Sequence, residues 1–546
     1  MLTNRGNVNN KKWLILAWAT SFCLILPALF LLAQSFAPDT ELFDHLWETV
    51  LPDYIVNTLQ LVSLVLIFSA LFAIPVAWLV AMCDFPGKRY FQWLLMLPLA
   101  MPAYVVAYVY TDLFDFAGPI QRVLRALFQW DVAVGQHWFF EIRNVPGAAV
   151  MLALVLYPYL YLIARTAFLE QGAHLLQVSR SLGQSPWQSF KRVAVPLCRP
   201  AIVVGLVFIG AEALGDFATV HYFAVNTLTT AVYDSWLGHG SLSAAAKISI
   251  LMLIGVMAIL AVERWQRGRQ RYYHKYTGQT ALFHLSGWQA KGASAYCALL
   301  VFAGFILPAL ILLSYTLKSM SFNTDSQLGV VLLQTAWLAI LAAVITTALA
   351  IIFSFTNRIS RQASAALPSK LSSMSYMMPS TVLAIAVLIP MTLFEITLND
   401  LWVWLGFDAP GLFLSGTVFA LVFAFVVRFQ AVANGTIESS FLAVSPSLDM
   451  AAKSMGKSNQ QLLFSIHIPL IRKSISTAVL LVFIECMKEL PAALLLRPFN
   501  FDTLATYVYQ YVSDEQLEQA AFAAILIVLA GLYPVIRLTQ TGERTT

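Results

Sequence analysis

Four acidic residues stand at matching places in two apolar stretches of this chain, and they are its clearest candidates for chemistry. Glu212 and Asp216 fall in one stretch, Glu485 and Glu489 in the other, and a single offset of 273 residues carries the first pair onto the second. Within each pair the spacing is i, i+4, which on a continuous helix puts both carboxyls on one face. Glu212 lies 13 residues beyond Arg199, about 20 Å at ~1.5 Å per residue, so it sits past the middle of a bilayer. A charge at that depth costs at least ~2.5 kcal/mol and faces a partner or a wet cavity. The functional expectation is an acidic lining of a pathway that attracts a cation. The alternative is local pairing, with Lys488 neutralising Glu485 or Glu489 and the contact fixing helix packing. Carboxylates suit hard cations, but spacing alone sets no histidine or tyrosine beside them, so no metal ligand is assigned.

Other chemistry is thin. Gly456-Lys457-Ser458 has the end of a P-loop, but G-x-x-x-x-G-K-[ST] needs glycine at 451, where the chain has Ala451, and no strand precedes it. Five dispersed cysteines without C-x-x-C form neither a disulfide framework nor a zinc site. Tyr104, Tyr108 and Tyr157-Pro158-Tyr159 read as helix packing and interface anchoring. No nucleophile triad or phosphate loop is present, so the expectation is a chain that is not an enzyme, binds no cofactor and has no catalytic residue.

The elements that must position the acids follow from composition. Hydrophobic residues make up 59% of the chain and charged residues 11%, against roughly 25% charged in soluble domains. Apolar runs of bilayer length recur, at roughly 13–34, 54–82, 91–111, 146–168, 199–219 and 243–263, then 294–317, 330–356, 372–394, 412–432, 474–496 and 520–537. The class is an all-α polytopic membrane protein of about twelve transmembrane helices. Lys88, Arg89, Arg180, Lys191, Arg192, Arg358, Lys453, Lys457, Arg472 and the Arg264–Lys275 cluster all fall on one side, which is therefore cytoplasmic, with both termini. The cluster reads as a positive-inside loop near lipid headgroups rather than a nucleic-acid site.

The halves repeat. Ile25-Leu26-Pro27-Ala28-Leu29 answers Ile306-Leu307-Pro308-Ala309-Leu310, which argues against a removable leader at 13–34. Met101-Pro102 answers Met378-Pro379, and Asn226–Tyr233 answers Asp502–Tyr509. The organisation is two parallel six-helix repeats, 1–262 and 294–546, joined by a basic cytoplasmic linker at 263–293, with a pathway between halves. Each half also carries a soluble-looking island, at about 173–198 and 446–471. Gly183 and Gly456 end a helix in the left-handed conformation. Ser185 with Gln188, and Ser458 with Gln461, then form capping boxes, and Pro196 and Pro469 mark re-entry to the membrane. In the short helix between, Trp187, Phe190 and Val193 share one face, as do Leu463 and Ile466.

The islands resemble the EAA loop of ABC importer permeases, E-A-A-x3-G-x9-I-x-L-P. The second copy has Ala451, Ala452, Gly456, Ile466, Ile468 and Pro469, with Met450 at the glutamate position. The first has Gln177-Val178-Ser179, Gly183, Val193, Val195 and Pro196. The stretches 214–223 and 488–506 look like those of fused ferric-iron permeases, a likeness that runs over nearly the whole chain and is shared in part by thiamine, sulfate and polyamine permeases. The resemblance implies a bacterial inner-membrane importer subunit for Fe3+. It implies a pair of ATP-binding-cassette ATPase subunits that hold ATP and Mg, and a periplasmic or lipid-anchored iron-binding protein. It also implies ATPase docking by Gly183, Ser185, Trp187, Phe190, Gly456, Ser458 and Leu463. The competing class is a proton-coupled secondary transporter, which also has twelve spans in two halves.

Overall fold

The computed structural model describes residues 2–36, 41–129, 141–170, 181, 183–267, 283–319, 326–360 and 363–543. Gln177–Arg180 and Leu182 of the first island, and 268–282 of the basic linker, lie outside the described residues. Among the described residues the chain is helical except for one parallel pairing of two residues, Cys83–Asp84 with Phe283–His284. Nine helices are long and apolar enough to cross a membrane, and the bent pair Lys88–Ala100 and Ala103–Phe128 makes a tenth. Ile468–Lys488 and the apolar Leu517–Tyr533 complete the twelve expected positions.

Four of the expected spans are broken rather than continuous. The third span of the first half turns by 90° between Ala100 and Ala103, and the corresponding span of the second half stops at Met378 before Ser380–Trp404. The cause is the Met-Pro pair in each. A residue before proline is driven out of the α region, and Met101 (φ −96°, ψ 125°) and Met378 (φ −78°, ψ 128°) are both extended. The fifth spans end at Gly215 and Lys488, and a short helix follows each, Ala218–Tyr222 and Pro491–Leu496.

Contacts group the chain into two compact units whose membership differs from the linear halves. One comprises 46–231, 252–324 and 508–546, and the other 1–45, 232–251 and 325–507. In the first, Leu51–Met82 packs along Val145–Glu170 and Val195–Gly215, while Leu307–Ser319 lies against Leu517–Glu543. In the second, Ser326–Ile359 packs along Val418–Ala443 and Ile468–Lys488, and Leu2–Gln34 lies against Ser380–Trp404. Each half's leading helix thus belongs to the unit built mainly from the other half.

The repeat extends to individual hydrogen bonds. Thr58 Oγ1 accepts from the Leu228 N–H at 2.9 Å, and Thr335 Oγ1 from the Leu504 N–H at 2.8 Å. Thr230 and Thr506 each accept from the backbone N–H three residues earlier, both at 2.9 Å. Trp78 meets Phe168 edge-on at 5.6 Å between ring centroids, and the residues in the same places, Phe355 and Phe441, lie 6.5 Å apart.

Close helix contact depends on small residues, as is usual where lipid removes the hydrophobic drive between helices. A Cβ on Gly205 would stand 2.6 Å from Leu160 Cδ1 and 3.1 Å from Leu160 Cα. Gly205→Leu should therefore force Val195–Gly215 off Val145–Glu170 at a cost of about 1–3 kcal/mol. Membrane-extracted variant protein should show a lower melting temperature than wild type; an unchanged melting curve contradicts this packing.

Candidate functional site

The acids sit at the helix breaks. Asp216 is extended (φ −68°, ψ 129°) and follows the last helical residue. Its carboxylate accepts from the Thr219 N–H at 3.0 Å, the Thr219 hydroxyl at 3.1 Å and the Val220 N–H at 3.3 Å. It therefore caps Ala218–Tyr222. Glu489 stands in the same place (φ −71°, ψ 114°) and accepts from the Ala492 N–H at 3.3 Å, capping Pro491–Leu496. This corrects the shared-face expectation. Glu212 and Glu485 are on the helix, half-buried, one turn before the break, but their partners at i+4 lie beyond its end and point with the next helix.

The two breaks differ in charge. Glu489 is 2.9 Å from Arg428 Nε, a pair in which the side chains are only 6% and 14% exposed. Arg428 Nη1 also donates to the Met378 carbonyl at 3.2 Å. One guanidinium thus bridges the breaks of the third and fifth spans of the second half. Glu489 pairs with Arg428, a residue that the local-pairing alternative through Lys488 did not include. Arg428 was legible as a lone cation in the apolar run Val418–Ala443, but nothing local linked it to residue 489. In the first half Val155 holds the place of Arg428 under the 273-residue offset, and Asp216 takes the Thr219 hydroxyl instead.

The two islands have the expected local geometry where described. Gly183 and Gly456 adopt φ 76° and 77°. Both capping boxes are formed: Gln188 N–H to Ser185 Oγ at 3.3 Å with Ser185 N–H to Gln188 Oε1 at 3.0 Å, and the Ser458–Gln461 pair at 3.3 and 2.9 Å. The expected re-entry at Pro196 and Pro469 is made without a break in the helix. A π turn, Phe190–Ala194 or Leu463–His467, joins each short helix to the span behind it. Val195 N–H reaches the Phe190 carbonyl and Ile468 N–H the Leu463 carbonyl, so the wider turn arrives just ahead of Pro196 and Pro469 and the helix runs through.

The apolar face of each short helix is split. Phe190 and Leu463 are buried in the chain itself, whereas Trp187 is 58% exposed. Phe190 packs on Trp78 at 5.6 Å and on the underside of Trp187 at 5.2 Å, and Lys191 Nζ lies 4.7 Å from the Trp187 ring. In the second island Leu448, Met450, Met455, Phe464 and Leu470 are exposed. That island is held by charge. Asp449 lies 2.6 Å from Arg358 Nε and 3.0 Å from His467 Nε2, and Arg358 also donates to the Phe441 and Val444 carbonyls. His467 is fully buried between Phe355 and Phe441. Burial holds its imidazole below the ordinary value against the pull of Asp449, so Arg358 neutralises that carboxylate near pH 7. Sequence reasoning missed this cluster, whose members lie up to 109 residues apart (358 to 467).

Among the described residues no group of three or more His, Cys, Asp or Glu is arranged to hold a metal ion. Removing one member of the Arg428–Glu489 pair leaves the other buried and unpaired, which costs about 3–5 kcal/mol. Arg428→Ala and Glu489→Ala should each lower membrane abundance severalfold on quantitative blotting, and the double change should recover part of the loss. Single variants at wild-type abundance contradict the bridging role.

Four likenesses bear on this architecture. The family described as binding-protein-dependent transport system inner membrane component matches residues 73–269. The Fe(3+)-transport system permease protein FbpB 2 of Haemophilus influenzae is 23% identical over 509 residues, 92% of this chain and 92% of the relative. The molybdenum transport system permease protein ModB of Escherichia coli is 31% identical over 230 residues, 41% of this chain and 94% of the relative. The sulfate transport system permease protein CysW of Escherichia coli is 24% identical, over 49% of this chain and 95% of the relative. The single-length permeases thus correspond to about half of this chain and the ferric one to nearly all of it. With helices at the twelve expected span positions among the described residues, paired islands and these relatives, the chain belongs to the family of binding-protein-dependent transport system inner membrane components.

Proposed function

We propose that this chain is the permease of an ATP-driven importer that moves Fe3+ delivered by an extracytoplasmic binding protein, periplasmic or lipid-anchored. Two separate ATPase subunits, carrying ATP and Mg, dock on the islands at about 173–198 and 446–471, on the cytoplasmic side with both termini. The observation that carries this reading is the pair of capped helices. Each follows a left-handed glycine, is joined rigidly to the fifth span of its half, and leaves apolar side chains exposed beside it. A force applied at Ser185 or Ser458 passes along a continuous helix to Glu212 or Glu485, and then to the break.

The exposed Trp187, Met450, Met455 and Phe464 supply the docking contacts. Gly183, Ser185, Gly456 and Ser458 set the helix direction, and Phe190 and Leu463 anchor the helix to its own unit. Glu212, Asp216 and Glu485 line the path as acids, and Glu489 contributes through its pair with Arg428. The iron reading rests on the full-length likeness to a ferric permease together with this excess of carboxylates. Molybdate or sulfate is the second reading, favoured by the higher identity to ModB over one half.

A strain lacking the chain and complemented with it should regain uptake of radioactive iron, abolished by ATP depletion and not by unlabelled molybdate, sulfate or thiamine. Uptake driven by a proton gradient without ATP, or competed by molybdate, contradicts the reading. Valine at Gly183 or Gly456 strains a backbone at φ near 77°. Each variant should lose substrate-stimulated ATP hydrolysis at normal membrane abundance, and to different degrees, because one island is anchored by aromatic packing and the other by charge. Full coupling in both variants contradicts the docking role.

A further inference from the structure

Within the unit that contains the first helix break, an aromatic cluster surrounds the residues after Asp216. Tyr104 and Tyr108 lie on Ala103–Phe114, which begins at the Met-Pro break. Tyr108 packs on Tyr222 at 4.5 Å between centroids and on Tyr104 at 5.6 Å. His221, on the short helix that Asp216 caps, is exposed, and its Nδ1 is 2.8 Å from the hydroxyl of Tyr509. Phe217 holds both rings, 5.0 Å from His221 and 6.3 Å from Tyr509.

Tyr108 is the informative member. It is fully buried, and its hydroxyl has no hydrogen-bond partner among the described residues. Buried phenols normally find one. Helix packing accounts for the ring but not for the orphaned oxygen. The ionisable groups in electrostatic reach of that hydroxyl are Tyr104, Tyr222, Tyr509 and Asp216. An exposed imidazole paired with one phenol therefore shares this cluster with a second phenol that has no hydrogen-bond partner among the described residues, near the Asp216 carboxylate.

We propose that Tyr108, Tyr509 and His221, backed by Asp216, form a transient site for a trivalent hard cation on the transport path. This rests on the ferric reading above and names the groups that would handle the ion. Two ligand atoms bound at right angles at about 2.0–2.1 Å from one small cation lie about 2.9 Å apart, close to the 2.8 Å between Tyr509 Oη and His221 Nδ1. The hydrogen bond is the metal-free form of that chelating pair. On binding, both phenols lose their protons to solvent, and the two phenolate oxygens and the imidazole lone pair form coordinate bonds to the ion. Two of its three charges are then neutralised, and the Asp216 carboxylate, held by its caps, offsets the third. Nothing is oxidised or reduced. Because protons leave, affinity rises with pH. Three ligands leave the coordination shell incomplete, as a site on a path must be if the ion is to move on.

The test uses the full-length chain purified in detergent, titrated with ferric iron supplied as its nitrilotriacetate chelate. Wild type should retain iron and show a visible phenolate-to-iron charge-transfer band that grows with pH. Tyr108→Phe and Tyr509→Phe keep the rings and remove the oxygens. Each should weaken iron retention by about tenfold or more, the scale reached when only an outer-shell partner of a metal site is lost. Tyr110→Phe, whose hydroxyl donates to the Ala303 carbonyl at 2.7 Å, should leave the band unchanged and controls for folding. No retained iron, iron retained without the band, or a band that survives in both phenylalanine variants overturns the site. The ferric reading then stands if complemented cells still take up iron. Cells that take up molybdate and not iron overturn the reading and the site together.

Discussion

Backbone groups inside a bilayer have no water to bond, so a helix that ends there must have its free N–H groups satisfied by the protein. This chain interrupts four of its expected spans, and its arrangement follows from how those ends are closed. Proline removes one donor at each third-span break, and the carboxylates of Asp216 and Glu489 cap the helices that follow the fifth-span breaks. Two of the four acids that look like a free charged lining, Asp216 and Glu489, are first of all the caps that let the backbone open. Opening the backbone in turn sets polar groups and side chains toward the interior, where discontinuous spans commonly build a path.

The same economy of local bonds operates at the two islands. Each island is fixed by a reciprocal serine–glutamine pair and a glycine in the left-handed region, then made continuous with its span by a π turn. The halves diverge in what holds the island down. The first uses stacked rings around Trp78 and Phe190, while the second uses Asp449 shared between Arg358 and buried His467. The divergence extends to the breaks, where Arg428 neutralises Glu489 but no cation occupies the position equivalent to it in the first half. Duplication gave two similar frames, and a single polypeptide allows their two halves to specialise.

Much of this was legible because it is local. Ser185 with Gln188, and Ser458 with Gln461, lie three residues apart, and both boxes form as the spacing predicts. The spans follow from apolar runs, and the answering stretches Asn226–Tyr233 and Asp502–Tyr509 are where the matched threonine bonds form. The shared face of Glu212 and Asp216 failed because the i, i+4 rule assumes a helix that continues, and Asp216 is the residue that ends it. The π turns were invisible because proline marks re-entry without saying how the short helix joins the span behind it. The Arg428–Glu489 pair and the Arg358–Asp449–His467 cluster join residues that only the fold brings together. The orphaned hydroxyl of Tyr108 likewise depends on what surrounds it in space. The grouping of each leading helix with the opposite half leaves no trace in periodicity or charge.

The central claim is that one chain supplies both docking elements for a pair of ATPases. The most direct measurement is the subunit stoichiometry of the purified importer by native mass spectrometry in detergent. The account predicts one copy of this 546-residue chain with two ATPase subunits, reduced to one when either island is disabled by valine at its glycine. Two copies of this chain per pair of ATPases, or a purified chain that transports with no ATPase bound, would contradict it.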